Sequence, residues 1–467
     1  MNVARLRTFF YAFLVTQPLA LVQSAEANTF DCSAGDVQCL VSAISQANAD
    51  PKHKTTIRLA GGTYALTDAD NDTNGLNGLP SIVGNVTITA GGAGATLTRL
   101  AGALAFRILH VGASGRLTLQ RVTITNPSDF GWLSDPASGL FNDGGMVTVV
   151  DSSFIENMMG DVGALYNNHG TVRIIDSAFS GNFGSNGAGI VSAGGVVDIT
   201  RTVFEHHSGF FGAGALWSMD GEVHIVDSHF SSNSSHFAGA IRVSGGTTSI
   251  TRTTFVGNTG DPSGGIFVES QGTVTVRDSA FVENIGLGGP AIFNIGGSTH
   301  VMNTTFAQNI TFFDSGTVRN LNGTVTLINS TFAENTAVGG TGTAVASFGG
   351  ATTRLQNTIV VHNGDNPSAL CAGVITSLGH NLIGDSSCIV APQQGDVIGQ
   401  PDAGLGQLVD DGTPGNAHYL LISDSPAIDA ANNAVCPKKD QLGRPRAPRC
   451  DIGAIEFRRT DVTLATQ

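Results

Sequence analysis

Residues 171–182, T-V-R-I-I-D-S-A-F-S-G-N, decide the fold because near-copies follow at an almost fixed interval: V-V-D-I-T-R-T-V-F-E-H-H (196–207), E-V-H-I-V-D-S-H-F-S-S-N (222–233) and T-T-S-I-T-R-T-T-F-V-G-N (247–258). One phenylalanine anchors each copy. It recurs at Phe154, Phe179, Phe204, Phe230, Phe255, Phe281, Phe306 and Phe332, with spacings of 25, 25, 26, 25, 26, 25 and 26. Ile124 before the series and Val360 after it hold the same place. Recurrence at a constant period inside one chain is the signature of stacked units.

Other columns keep step. Five residues before the phenylalanine stands a branched apolar residue, from Leu119 and Val149 through Ile174, Ile199, Ile225 and Ile250 to Leu355. Nine residues before it stands glycine, from Gly115 to Gly323, which predicts a turn requiring positive φ. A strand alternates its faces with period two, yet the two apolar columns lie an odd number of residues apart. Both can face inward only if the chain bends between them, where an Asp-Ser or Arg-Thr pair stands. A third apolar position follows small residues, as in Gly163-Ala164-Leu165 and Ala240-Ile241. Three short strands and three bends per coil, each coil resting on the last at about 4.8 Å, describe an all-β, right-handed parallel β-helix, a pectate-lyase-like solenoid. A propeller blade is too long for this period, and the calcium-binding nonapeptide roll needs a G-G-x-G-x-D pattern that is absent.

Three residues after the phenylalanine an asparagine recurs, at Asn157, Asn182, Asn233, Asn258, Asn284, Asn309, Asn335 and Asn363, with His207 replacing it once. Stacked amides donate to one another and satisfy turn backbone, so the column is read as a structural ladder. Arg121, Asp151, Asp176, Arg201, Asp227, Arg252 and Asp278 form a second ladder at the bend. Asp151 and Asp176 would stand about 5 Å apart, near the spacing of a retaining glycosidase. Arginine interleaved with aspartate nevertheless favours exposed ion pairs.

The chain has 467 residues and a formal net charge of -14, and only 13% of residues are charged. An acidic surface disfavours nucleic acid and anionic lipid, and admits a polyanionic glycan only through a bridging cation. Lysine stands only at Lys52, Lys54, Lys438 and Lys439, outside the repeats, so no lysine-lined groove runs along the rod. Arg5 and Arg7, the apolar run Phe9 to Val22 and Ala25-Glu26-Ala27 read as an export signal. No later segment is suited to spanning a bilayer. Six cysteines fit an oxidising compartment and fall into sequence-local pairs, Cys32 with Cys39, Cys371 with Cys388 and Cys436 with Cys450, although other connectivities are open. No C-x-x-C spacing or calcium motif points to a metal or other cofactor.

The expected organisation is a signal peptide over 1–27, an N-terminal cap over 28–56, coils over 57–364, a C-terminal cap over 365–457 and a tail over 458–467. Val37, Leu40, Val41, Ile44 and Ala47 have helical spacing, so an amphipathic capping helix is expected there.

Cys39-Leu40-Val41-Ser42-Ala43-Ile44, Ala47-Asn48 and the strings T-I-R-L and G-T-Y-A-L-T resemble the CSLREA-type segment of secreted bacterial β-helix proteins, without its Arg-Glu pair. Asn381-Leu382-Ile383-Gly384, Leu405-Gly406-Gln407-Leu408, Ser425-Pro426-Ala427-Ile428-Asp429, Asp440-Gln441, Gly443-Arg444-Pro445-Arg446 and Cys450-Asp451-Ile452-Gly453-Ala454 with Glu456 resemble the choice-of-anchor Q domain. These resemblances imply export and display. The absence of an apolar tail favours release, and neither resemblance brings catalytic residues.

One residue beyond the third strand's apolar position stand Tyr166, Val191, Trp217, Arg242, Phe267, Phe293, Arg319 and Ala346. By alternation they face outward, and aromatics beside arginines make a platform for sugar rings. Loops just before them carry Asp161, Phe210, Phe211, His236, Phe237, Asp261, Phe312, Phe313 and Asp314. The competing expectation is that these loops cover the aromatics as a secondary core. The preferred reading is a secreted, non-catalytic binding or structural rod recognising an extracellular polysaccharide or cell-surface glycan. The alternative is a polysaccharide lyase or glycoside hydrolase, with His207 and His236 as candidate bases and Arg242 and Arg319 as candidate charge neutralisers. The paired aspartates with G-H-G typical of polygalacturonases and the D-P-H-D of alginate epimerases are both missing.

Overall fold

From Asn28 onward the backbone winds in parallel coils. The computed structural model describes residues 28–127, 138–158, 160–313, 316–362 and 368–459. The expected signal peptide, most of the tail, Asp314 and Asn363 lie outside the described residues.

The strand Ser153–Ile155 pairs in parallel with Ala178–Ser180, which places Phe154 on Phe179. The same register continues through Phe204, Phe230, Phe255, Phe281, Phe306 and Phe332. All eight rings are fully buried, and neighbouring centroids lie 4.3 to 5.1 Å apart with planes within 19°. Ile124 sits beneath Phe154 and Val360 above Phe332, as their sequence positions require. The fold is therefore a parallel β-helix with an aromatic stack in its interior.

The bend between the two inward columns is one left-handed residue per coil. Arg121, Asp151, Asp176, Arg201, Asp227, Arg252, Asp278, Asn303, Asn329 and Asn357 all have φ between 45° and 56°. This conformation disfavours most L side chains, and Asp and Asn tolerate it best. A buried hydroxyl beside the bend satisfies backbone left without a strand partner: the Ser152 N–H donates to Ser177 Oγ at 3.2 Å, and the Thr202 N–H to Ser228 Oγ at 3.2 Å. Two rungs of the charged ladder close as ion pairs, Arg201 with Asp176 and Arg252 with Asp227. Asp176, one coil from Asp151, is thus engaged by Arg201.

The glycine column has a different cause from the expected turn. Only Gly195 and Gly246 in it have positive φ. In several coils the left-handed residue is the one before, such as Gly144, His169, Asp220 or Asn322. The column needs glycine for space: a Cβ on Gly145 would lie 2.6 Å from the Gly112 carbonyl oxygen, and one on Gly297 would lie 2.8 Å from that of Gly272.

At the N-terminal end the helix Val37–Ala49 buries Leu40, Ala43, Ile44 and Ala47 over the core, with Asp36 accepting from the Cys39 N–H at 2.9 Å. A strand precedes it. Asn28–Cys32 pairs in parallel with Lys54–Leu59, so the first coil starts before the helix and not at residue 57. The three expected cysteine pairs are bonded: Cys32–Cys39, Cys371–Cys388 and Cys436–Cys450.

The C-terminal segment does more than close an end. After the last coil it runs back along the flank, where Ala417, Tyr419, Ala427 and Ile452 pack on Ala280, Ala307, Ala333 and Ile359. Its hydrogen bonds reach from Thr254, which accepts from the Gly415 N–H at 2.8 Å, to Asn357, whose carbonyl accepts from the Gly453 N–H at 2.8 Å. The cause is visible one residue after each phenylalanine. That position is an exposed Ile155 and then Ser180, Glu205 and Ser231 in the free coils, and it turns to Val256, Val282, Ala307 and Ala333 under the strap, with Val361 after Val360. Arg446 and Glu456 form an almost fully buried ion pair at 3.1 Å, and Arg446 also donates to Asn303 Oδ1 at 3.1 Å. Burial pushes the Asp451 carboxyl up to about 6. Gln441, Arg446, Asp451 and Ala454 thus fasten the strap to Thr305, Asn303, Asn329 and Thr331.

Phe230 is held between Phe204 at 4.8 Å and Phe255 at 5.1 Å. Phe230→Ala opens a cavity in mid-rod and is expected to cost about 3 to 5 kcal/mol. A melting temperature equal to wild type would disprove the stacked register.

Candidate functional site

The outward column on the third strand is in register as expected, with Tyr166 over Phe141, then Val191, Trp217, Arg242, Phe267, Phe293 and Arg319. Its platform role is not supported. Phe141, Val191, Phe267 and Phe293 are buried, and Tyr166 and Trp217 are half-buried. Val162 covers the first group, while Ala213, Ala238 and Phe237 cover the second. The loops fold over the column, so removing apolar surface from water prevailed over display. A concavity of about 260 Å³ remains between Asp161, Tyr166, Asn186 and Trp217.

Arg242 is fixed beneath this cover. It pairs with Glu269 at 2.6 Å, donates to the Phe211 carbonyl at 2.8 Å and lies over the rings of Trp217 and Phe237 at 4.6 and 4.4 Å. Ser244 donates to the same carboxylate at 2.6 Å while accepting from Trp217 Nε1 at 2.9 Å. Arg319 lies against Phe293 and Phe348 at 5.3 and 5.6 Å. Arg242 is thereby withdrawn from neutralising charge on a substrate. The sequence reading missed Glu269, although it stands one coil beyond Ser244 in the same register.

His207 is corrected more sharply. It is buried and occupies a rung of the asparagine ladder: the Asn182 N–H donates to its Nδ1 at 3.1 Å, and its own N–H donates to Asn233 Oδ1 at 3.2 Å. Burial pulls its pKa down to about 3. It is a structural residue and cannot meet a substrate. The rungs elsewhere run Asn233 to Asn258, Asn284, Asn309 and Asn335, each amide donating to the next at 2.9 to 3.0 Å. A second interior ladder, in which Asn142 donates to Asn167 at 2.8 Å and Asn294 to Asn320 at 2.8 Å, escaped the sequence reading.

What the loops leave open is an axial groove of about 420 Å³ on the short-strand face. Its floor follows the paired strands Ser208–Gly209, Ser234–Ser235, Thr259–Gly260 and Ile285–Gly286. Its wall is the next position in that register: Phe210, His236, Asp261, Leu287 and Phe312. Phe210 and Phe312 stand four coils apart, and each is followed by a second, exposed phenylalanine, Phe211 and Phe313. The ring of Phe210 meets His236 and Phe211 edge to face at 4.6 Å in each case. Of the proposed contact residues, Phe211, His236 and Asp261 therefore lie at or in the groove, and Asp161 borders the smaller concavity. Asp314, next in chain after Phe313, lies outside the described residues.

The fold and this groove define a parallel β-helix with an open axial channel between aromatic corners. No family model matches the chain, and no curated protein matches it. Among solved structures it is similar to pectate lyase Pel9A, with 13% identity and a TM-score of 0.37 over 89% of this chain and 90% of that one. It is also similar to PfbA, a surface adhesin of Streptococcus pneumoniae (11%, 0.37, 85% and 99%), and to the A-module of the Azotobacter vinelandii mannuronan C-5 epimerase AlgE4 (13%, 0.35, 79% and 96%). Such values carry nothing about the groove, whose description rests on its own residues. Among the described residues, no helix is long and apolar enough to cross a membrane, and no cluster of three metal-ligating side chains occurs.

His207 titrates near 6.5 when unfolded and near 3 when folded. Between those values the unfolded chain binds the extra proton, so stability falls as pH drops. Taking wild type from pH 7.5 to 4.5 should cost about 3 kcal/mol more than the same change costs His207→Asn, which restores the ladder amide. Parallel denaturant melts with no difference between the two proteins would refute the buried neutral rung.

Proposed function

We propose that the protein is an exported, non-catalytic rod that binds an extracellular polysaccharide or cell-surface glycan in the groove between the Phe210-Phe211 and Phe312-Phe313 corners. The carrying observation is that Phe210 and Phe312 stay exposed in one channel, each followed in the chain by a second exposed phenylalanine, while Phe267 and Phe293 of the neighbouring column are covered. Exposed aromatic faces beside a polar floor suit sugar rings, which have an apolar face and hydroxyl edges. Three disulfides fit an oxidising compartment, and the export-like N-terminus and the choice-of-anchor Q resemblance support release or display outside the cell. The lyase or hydrolase reading has little left: His207 is a rung, Arg242 is paired, and His236 faces the groove without a carboxylate hydrogen-bonded to it among the described residues.

Phe210→Ala and Phe312→Ala should each weaken retention on an insoluble polysaccharide by about tenfold, equivalent to about 1.4 kcal/mol, without lowering the melting temperature. Retention unchanged in the double variant would place any binding elsewhere. Accumulation of unsaturated products or new reducing ends, lost in His236→Ala, would overturn the non-catalytic reading.

A further inference from the structure

Resting on that glycan-binding reading, we infer that the groove takes an uncharged polysaccharide chain laid parallel to the rod and rejects polyuronates. The first argument is charge. Among the described residues no lysine or arginine lines the groove, and the carboxylate that does, Asp261, is exposed. The guanidinium of Arg242 is turned beneath the loop onto Glu269 and the Phe211 carbonyl. The whole chain carries a net charge of -14. A polymer with one carboxylate per ring would enter a like-charged field with no fixed cation to pair it, and like charge at close range is repulsive. An uncharged ring meets no such penalty.

The second argument is pitch. Coils recur at about 4.8 Å, close to the ~5 Å advance of a pyranose ring along an extended chain. A polymer parallel to the axis therefore offers one ring to each coil. Phe210 and Phe312, four coils apart, are separated by ~19 Å along the rod, so a chain of about four rings reaches from one aromatic corner to the other. Between them the floor changes from hydroxyl-bearing Ser208, Ser234 and Thr259 to apolar Ile285. Hydroxyl edges would lie on the first part and apolar ring faces on the second.

The full chain would be titrated with cellotetraose, mannotetraose and xylotetraose, with the corresponding disaccharides, and with tetragalacturonate and tetraguluronate, at low and high salt. At least one neutral tetraose should bind at least tenfold more tightly than its disaccharide and either uronate, with its Kd changing less than twofold between the salts. Asp261→Lys should raise uronate binding at low salt, and that gain should disappear at high salt; no gain at low salt would remove the charge argument. Uronates binding as tightly as neutral chains, or a disaccharide matching its tetraose, would overturn the inference while leaving a glycan site in place. Failure of every probe, neutral and uronate, would reject the groove as a glycan site and this inference with it.

Discussion

Every coil must tolerate its own copy about 4.8 Å away, and that constraint governs the rest of the molecule. Identical side chains one rung apart are favourable only if they stack, donate to each other or alternate in charge. Phenylalanine stacks inside, with centroids no more than 5.1 Å apart in this chain. Asparagine does what few polar side chains can, since its amide presents both donor and acceptor and Asn258 passes its hydrogen bond to Asn284 while holding the Phe230 carbonyl. On the outer bend a repeated aspartate would repel itself, and arginine intervenes at Arg201 and Arg252. The column chemistry follows from the rise of the coil.

His207 shows the cost of breaking a column. Its Nδ1 replaces the asparagine oxygen toward Asn182, but the ring offers no second donor where the asparagine amide reaches back to the preceding phenylalanine carbonyl, as Asn182 does to Phe154 and Asn233 to Phe204. The site is dry enough to hold the imidazole neutral far below its ordinary range. A lone histidine in a column of amides invites a catalytic reading. Register decides against it, because a residue aligned with seven buried amides inherits their environment.

Much of the coil is legible in the sequence. The phenylalanine spacing gave the register, and the odd separation of the two inward columns required a bend that the left-handed residues supply. Legibility failed where the determining contact lies outside the repeat. Glycine at Gly145 and Gly297 answers to the backbone of the coil below and not to its own φ, which spacing alone does not distinguish. The C-terminal strap could have been suspected from the change at the position after phenylalanine, from Glu205 and Ser231 to Val282 and Ala307. That change signals a covered face without naming what covers it.

The same limit explains why the binding ribbon was placed one column away from the groove. Strand alternation correctly turned Trp217, Phe267 and Phe293 out of the central core, but outward from a strand is not outward to water. Small residues at Ala213 and Ala238 let the connecting loops lie close over those rings, and Arg242 ties the Phe211 carbonyl down to the same cover. Once the loop is tied there, Phe210 and Phe211 have no interior to enter and remain at the surface. The secondary core and the open groove are thus two sides of one loop. The buried aromatics and Arg242 fix the loop, and the loop presents Phe210 and Phe211, so the covered column acts as the support for that corner of the channel.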